Sequence, residues 1–516
     1  MAATGDWLTP KYNFEPRFQK PALYYWLTAA TYLIAGPTEF AARVWSALAG
    51  VGLVLLTAAA GRRWFDEDIG FLGGAIVATN FGYFAMARMA LPDLPLTFFI
   101  TLSIYAALVA MLDNERHPRR WLLLAAAAAA LGFLTKGPVA VIIPLIVVAP
   151  IMLIERRSTN LEFSDVVLAA LLFAAIALPW YVAMWMQHGT AYITGFFIGD
   201  NYERFATSRF NDPRPWWFYL PVIAGGMLPW TPLMIVWVAP VMQFVLRRRD
   251  IGTLDLRLLL WAAVPLVFYT LSVGKQPRYV LPVLPPLALL LAGSIIERTR
   301  EWRSLDGARV RPRPNRAVVA GCMLSGLFLM GLAYSIFRIQ TLFVDVGHAL
   351  TLTAAAVIGV LGFLVVVVSF TSAWRAAPAL LAVAAAVTFA VLPWGVLSAP
   401  RDSAVSQVAE LVKENNGDGR PIGTYGVLVR NLVFYSGHKQ TDLVHDDHVA
   451  SFVRQNPNAL VVLPLKDMER LARERGIQLQ PLGQVRYFDE GQIKVRTLLR
   501  PNVDDDLQTV MLTRVP

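Results

Sequence analysis

The chain has 516 residues, 56% of them hydrophobic and 16% charged, with a formal net charge of +10. A soluble domain carries about 25% charged residues and does not need repeated apolar runs of ~18 residues or more, so a soluble globular protein is excluded. The arginines lie in short loops between apolar spans, which is the pattern of membrane topology rather than of a nucleic-acid-binding face. The single cysteine, Cys322, excludes an intrachain disulfide framework and a cysteine-based metal site.

Taken in chain order, residues 1–40 read as an outer loop and interfacial segment. Met1 to Asp6 is polar and lacks the apolar core of a signal peptide. Residues 23–35 are too short to cross a bilayer, and Tyr24, Tyr25 and Trp26 suit the headgroup level. Twelve membrane helices are expected, near 41–61, 69–88, 92–113, 121–135, 137–154, 163–184, 219–246, 256–273, 279–296, 317–337, 350–370 and 378–398, giving a transmembrane domain over 41–398. Alternate loops divide the cations unequally. One set carries eighteen, among them Arg62, Arg63, Arg247 to Arg249 and seven arginines from Arg298 to Arg316. The other carries eight, including Lys136, Arg204, Lys275 and Arg278. The richer set is expected to be cytoplasmic, which puts both chain ends outside.

From about residue 399 Asp, Glu, Lys, Asn and Gln return. Short β-like runs at Pro421–Val429, Ala459–Pro464 and Ile493–Leu498 alternate with helical patterns at Ala404–Glu414 and Lys466–Arg475. The expected fold class is therefore a polytopic α-helical membrane protein with a C-terminal extramembrane α/β domain over 399–516.

Three cation–proline mouths stand against apolar spans: Lys20-Pro21, Lys136-Gly-Pro138 and Lys275-Gln-Pro277-Arg278. Each cation alone reads as a snorkelling anchor. Together they read as a clamp for an anionic headgroup, with phosphate the natural ligand because several cations can share its charge. Asp93 lies between Pro92 and Pro95 at the start of a span, where an acid is costly and marks a functional position or a helix N-terminus. Asn201 and Arg204 are candidates in the long loop after Trp185, and Tyr279 can aim a hydroxyl at the same place or anchor the interface. His117, His188 and His348 are isolated, and solvated or interfacial positions are expected for them. The cluster of His438, His445, His448, Asp442, Asp446 and Asp447 reads as a metal site or, preferably, a solvated loop. No Walker loop or dinucleotide fingerprint is present, so no nucleotide cofactor is indicated.

The ordered set Gln19-Lys20-Pro21, Leu23 to Trp26, Glu39 to Arg43, Asp93-Leu-Pro-Leu96, Lys136-Gly-Pro138, Pro179-Trp-Tyr181, Pro215-Trp-Trp217 and Lys275 to Pro282 resembles bacterial GT-C glycosyltransferases. The nearest branch holds lipid A aminoarabinose transferases and protein O-mannosyltransferase-like enzymes (glycosyltransferase family 83-like). The resemblance spans about residues 1–400. It implies about thirteen helices, an active site facing the periplasm of a bacterial inner membrane, and a polyprenyl-phosphate sugar donor. The acceptor it implies is a lipid A-type glycolipid, another glycan or a protein hydroxyl. It also implies an acidic motif, with the presumed catalytic base, after a first helix. That segment is expected upstream of Met1, and the chain alone is then expected to be inactive. Members of this branch carry Glu where Gln19 stands and a His in the stretch matching Gly199–Asn201, a pair able to hold a metal. Here both are replaced, and no metal is expected because an amide is a poor ligand beside a carboxylate.

The reading is a membrane glycosyltransferase in which Lys20, Arg204, Lys275 and Arg278 bind the donor phosphate. Gln19, Lys136, Asn201 and Tyr279 contact substrate, and Asp93 organises the site or meets the acceptor. A polyprenyl-lipid flippase and a non-catalytic membrane scaffold are the alternatives. A flippase calls for broken mid-membrane helices and an internal repeat, neither of which the sequence displays.

Overall fold

The computed structural model of the chain describes residues 1–113, 115–155, 160–208, 213–245, 252–300, 302–303, 309–310, 313–342, 348–395, 403–426, 432–488 and 495–516. It divides into two compact units. The first comprises Met1–Lys11, Pro16–Phe328 and Leu361–Ala386; the second comprises Tyr12–Glu15, Leu329–Val360 and Val387–Pro516.

The first unit opens on two-residue strands β1 (Lys11–Tyr12) and β2 (Glu15–Pro16), whose tip belongs to the second unit. Helix α1 (Leu23–Ala35) has 13 residues. Helix α2 (Glu39–Trp64) starts on Thr38, whose hydroxyl accepts from Ala41 N, and ends on Arg62 and Arg63, the polar caps a spanning helix needs at each interface. Then come α3 (Glu67–Ala78), α4 (Phe81–Ala87), α5 (Asp93–Leu112), α6 (Pro118–Lys136), α7 (Val139–Glu155) and α8 (Phe163–Ile193). Short helices α9 (Arg204–Ala206), α10 (Tyr219–Gly226) and α11 (Val238–Val245) precede α12 (Thr253–Leu271) and α13 (Leu284–Thr299). A strand pair, β3 (Trp302–Arg303) and β4 (Arg309–Val310), leads to α14 (Arg316–Ile339), α15 (His348–Phe370) and α16 (Ala377–Gly395). Helix α5 is the core rod. Some 72% of its apolar window is buried in protein, against 22% for the α8 span, which therefore faces outward.

Among the described residues eight helices are long and apolar enough to cross a membrane, or up to ten when each of two bent pairs is one span. The chain is a multi-span helical membrane protein. These eight, the two bent pairs, and α6 and α7 occupy the twelve expected stretches. The stretches 69–88 and 219–246 are not single rods, however. The first bends by 55° between α3 and α4, and the second by 110° after α10. Backbone groups freed at a break inside a bilayer must find partners in protein. Here the breaks serve each other: Phe81 N donates to Leu228 O at 2.9 Å, and Trp230 Nε1 donates to the Thr79 hydroxyl at 2.9 Å. Glycine permits this approach, since a Cβ on Gly82 would lie 3.3 Å from the Gly226 backbone.

The second unit contains a five-stranded mixed sheet ordered β6-β5-β7-β9-β8. Strands β5 (Ile422–Tyr425), β6 (Gln440–Leu443) and β7 (Leu460–Pro464) are parallel; β8 (Gln480–Phe488) and β9 (Leu507–Arg514) complete it antiparallel. Central strand β7 is apolar on both faces, as a strand covered by helices on each side must be. Leu460 and Val462 pack with α17 (Ala404–Asn415) and α18 (Leu432–Ser436). Val461 and Leu463 pack with α19 (Asp446–Gln455) and α20 (Leu465–Arg475). The first two residues of the expected strand over Ile493–Leu498 lie outside the described residues, and the rest is not a strand: Val495–Leu499 is a short helix, α21, followed by α22 (Val503–Asp506). The pairing role falls to β8 and β9 instead. The hairpin tip caps edge strand β6, with Asn13 donating to Gln440 O at 2.6 Å and accepting from Gln440 N at 2.9 Å.

Candidate active site

The residues assigned to catalysis, phosphate and substrate all lie in the first unit. Asp93 begins α5 and is only 4% exposed. Lys136 is the last residue of α6, where Gly137 turns the chain with φ +97° and leaves no room for a side chain, because a Cβ would meet Phe196 at 2.6 Å. The turn aims the Lys136 ammonium at Asp93 Oδ1, 2.6 Å away. Arg278, in the 3₁₀ turn Pro277–Val283, brings Nε within 3.3 Å of the same oxygen without making a hydrogen bond.

A second carboxylate nest lies on α8 and its extension. Gly189 (φ 59°) interrupts the helix, which resumes and widens into a π-helical segment over Thr194–Glu203. Such wide turns recur at functional sites. This one turns Asp200 inward, to 4% exposure, where it accepts from both Lys20 and Arg204. Lys20 also donates to Gln19 O at 2.8 Å. Burial pushes the Lys20 ammonium down to about 8, and the Asp200 charge only partly opposes this. Tyr279 joins the two nests: the Lys136 ammonium lies 4.8 Å above its ring, and its hydroxyl faces Arg204.

Lys20, Lys136, Asp93, Arg204, Arg278 and Tyr279 are thus brought together. Lys275 is 7% exposed and donates to Ser272 O at 2.6 Å, in a turn that Val273 N anchors to Phe205 O beside Arg204. Asn201 donates to Phe196 O at 2.8 Å, next to the Gly137 turn. Gln19 is exposed and accepts from Arg17 at 3.2 Å. With an amide at 19, a glycine at 199 and Asp200 committed to two cations, these donors do not fit a divalent metal. Among the described residues no three His, Cys, Asp or Glu side chains are grouped to hold one. In the second unit, Asp446 is taken by Arg470 and Tyr425 rather than by the neighbouring histidines.

Sequence reasoning missed two residues. Asp200 was overlooked beside Asn201, although its spacing of four from Arg204 was a usable signal. His188 is half-exposed, and its Nε2 shares a 2.8 Å hydrogen bond with the Thr9 hydroxyl.

Chemically, four cations surround two carboxylates. The carboxylates hold the cations in place without neutralising them, so the site suits a multiply charged anion.

Residues 1–188 match the family described as dolichyl-phosphate-mannose-protein mannosyltransferase. The undecaprenyl phosphate-alpha-4-amino-4-deoxy-L-arabinose arabinosyl transferase of Pseudomonas aeruginosa (strain UCBPP-PA14) is 35% identical over 310 residues, 59% of this chain and 55% of that protein. Its counterpart from Aeromonas salmonicida (strain A449) is 31% identical over 335 residues, covering 64% and 57%. The chain spans little more than half the length of the curated relatives it matches. The crystal structure of ArnT from Cupriavidus metallidurans bound to undecaprenyl phosphate shares the fold, with a TM-score of 0.70 at 20% identity over 99% of this chain and 91% of that one. The chain thus shares the fold of that ArnT structure, and its first 188 residues are similar to the protein mannosyltransferase family.

Proposed function

We propose that the chain transfers a sugar from a polyprenyl-phosphate donor to an envelope acceptor on the periplasmic side of a bacterial inner membrane. The observation that carries this reading is the surplus of cations around Asp93 and Asp200. The names of the relatives favour an amino-arabinose on undecaprenyl phosphate as donor, and a lipid A-type glycolipid as acceptor fits the resemblance. An acceptor oxygen attacks the anomeric carbon, the bond from that carbon to the phosphate oxygen breaks with its electron pair staying on the lipid phosphate, and the proton of a hydroxyl acceptor passes to that phosphate. Lys20 and Arg204 stabilise that charge at one nest, and Lys136 and Arg278 at the other. Asp93 holds the second pair in register and faces the acceptor. Tyr279 keeps the two nests adjacent.

The test is binding of undecaprenyl phosphate to the purified protein, with lipid A from cells carrying or lacking the gene compared by mass spectrometry. Hydrogen bonds to charged groups contribute roughly 1.5–3 kcal/mol, so Lys20→Ala and Arg204→Ala should each weaken binding about tenfold to a hundredfold. Unchanged affinity in both variants would overturn the clamp. Identical lipid A in both strains would overturn the acceptor.

A further inference from the structure

We infer that His188 is a positioning residue that sets the strap carrying Lys20. The inference rests on the phosphate-clamp reading and deepens it.

The strap is the stretch from Pro16 to Pro21, and it starts where the N-terminal hairpin closes. Arg17 N donates to Pro10 O at 2.7 Å, so the outgoing and returning arms move as one. On the outgoing arm, Asp6 accepts from Leu8 N and Thr9 N, which fixes the turn before Thr9. Thr9 is buried, and its hydroxyl is spent on His188. On the returning arm, the Phe18 ring lies 5.0 Å from the His188 ring and 5.8 Å from Tyr192. The imidazole therefore touches both arms, and Lys20 follows two residues after Phe18.

His188 also sits immediately before the Gly189 break, on the segment that continues to Asp200. His188 thus acts on the lysine of the Lys20–Asp200 pair through the strap, while the aspartate lies beyond the Gly189 break on the π-helical extension. Trp180 adds a bond from its Nε1 to Leu8 O at 3.0 Å, and Trp26 one to Trp7 O at 2.6 Å, so the outgoing arm has little freedom except at His188. No other contact described for His188 gives it a different task. A lysine held at one place before its ligand arrives binds more tightly than one that must be ordered on binding.

The test measures undecaprenyl phosphate affinity and thermal unfolding of the full chain in detergent. His188→Ala should weaken binding about fivefold to tenfold, and Thr9→Val, which removes only the hydroxyl, about twofold to threefold. His188→Gln, which keeps a polar group within reach of Thr9, should recover most of the loss. The decisive readout is coupling: in a Lys20→Ala background, His188→Ala should have no further effect on affinity. An additive loss there, or a fall in unfolding temperature with affinity unchanged, would overturn the positioning role while leaving the clamp intact. If Lys20→Ala itself leaves affinity unchanged, the clamp fails and the positioning role with it. Should His188→Ala not fold, Thr9→Val alone and combined with Lys20→Ala decides the matter.

Discussion

Two charge clusters stand at opposite ends of the same helices, and they are built to opposite rules. At one end of α5 is Asp93 with Lys136 and Arg278; at the other, just past the last turn, is Asp113. Twenty residues of helix separate the two by about 30 Å. The Asp113 cluster contains Arg257, which is 2% exposed and donates to Glu155 twice at 3.0 Å and to Asp113 at 3.0 Å. Arg63 adds bonds to Asp113 at 2.9 Å and Glu115 at 2.6 Å, and Trp64 Nε1 donates to Asp113 at 2.8 Å. Three carboxylates there enclose two guanidinium groups, and Arg257 lies 5.2 Å above the Trp64 ring. That cluster is closed. The site end has four cations for two carboxylates. A buried ion network with matched donors fixes helices; one with surplus donors waits for an anion.

The sharpest way to break the comparison is Arg257→Ala. Removing one partner of a buried pair leaves uncompensated charge and costs about 3–5 kcal/mol, so the variant should lose thermal stability and yield of folded protein. A stable variant would show that the closed cluster is not what fixes these helix ends. A smaller effect should appear with pH. Lys20 has its proton below about 8 and loses it above, whereas an ordinary lysine keeps it to about 10.5. The second phosphate ionisation, near 6, is about nine-tenths complete by pH 7. Undecaprenyl phosphate affinity should therefore fall about tenfold between pH 7 and 9, and Lys20→Ala should flatten the profile. A flat profile in the parent protein would remove Lys20 from the clamp. The smallest effect belongs to Arg300, exposed and paired with Asp66 at 2.7 Å. Surface pairs contribute about 0–1 kcal/mol, so Arg300→Ala should leave thermal unfolding and binding nearly unchanged, and a large loss would mean that exposed charge also fixes helices here.

The same contrast explains how far the sequence was legible. Hydropathy located the spans because every spanning helix must carry an apolar run. The cations at proline-bounded mouths stood out because charge is rare there. Asp200 did not, since its burial depends on Lys20, 180 positions away. The Arg257 cluster was invisible for the same reason: Asp113 and Glu155 look like ordinary loop acids until four helix ends meet. Lys275 shows the converse. It matched the mouth pattern, and a local turn directs its ammonium to the carbonyl three residues back. Ile493–Leu498 reads as a strand by composition, but the sheet already has its antiparallel partners in β8 and β9.

The meeting of the two broken spans has a consequence for biogenesis. Thr79 and Trp230, whose bond joins the breaks, are 151 positions apart in the chain. At a synthesis rate of about 5–20 residues per second, the first broken span waits roughly 8–30 s for its partner. During that interval its freed backbone groups lack their eventual protein partners. The insertion machinery, or water that it admits, must accommodate a helix whose two halves become a proper membrane element only after α10 arrives.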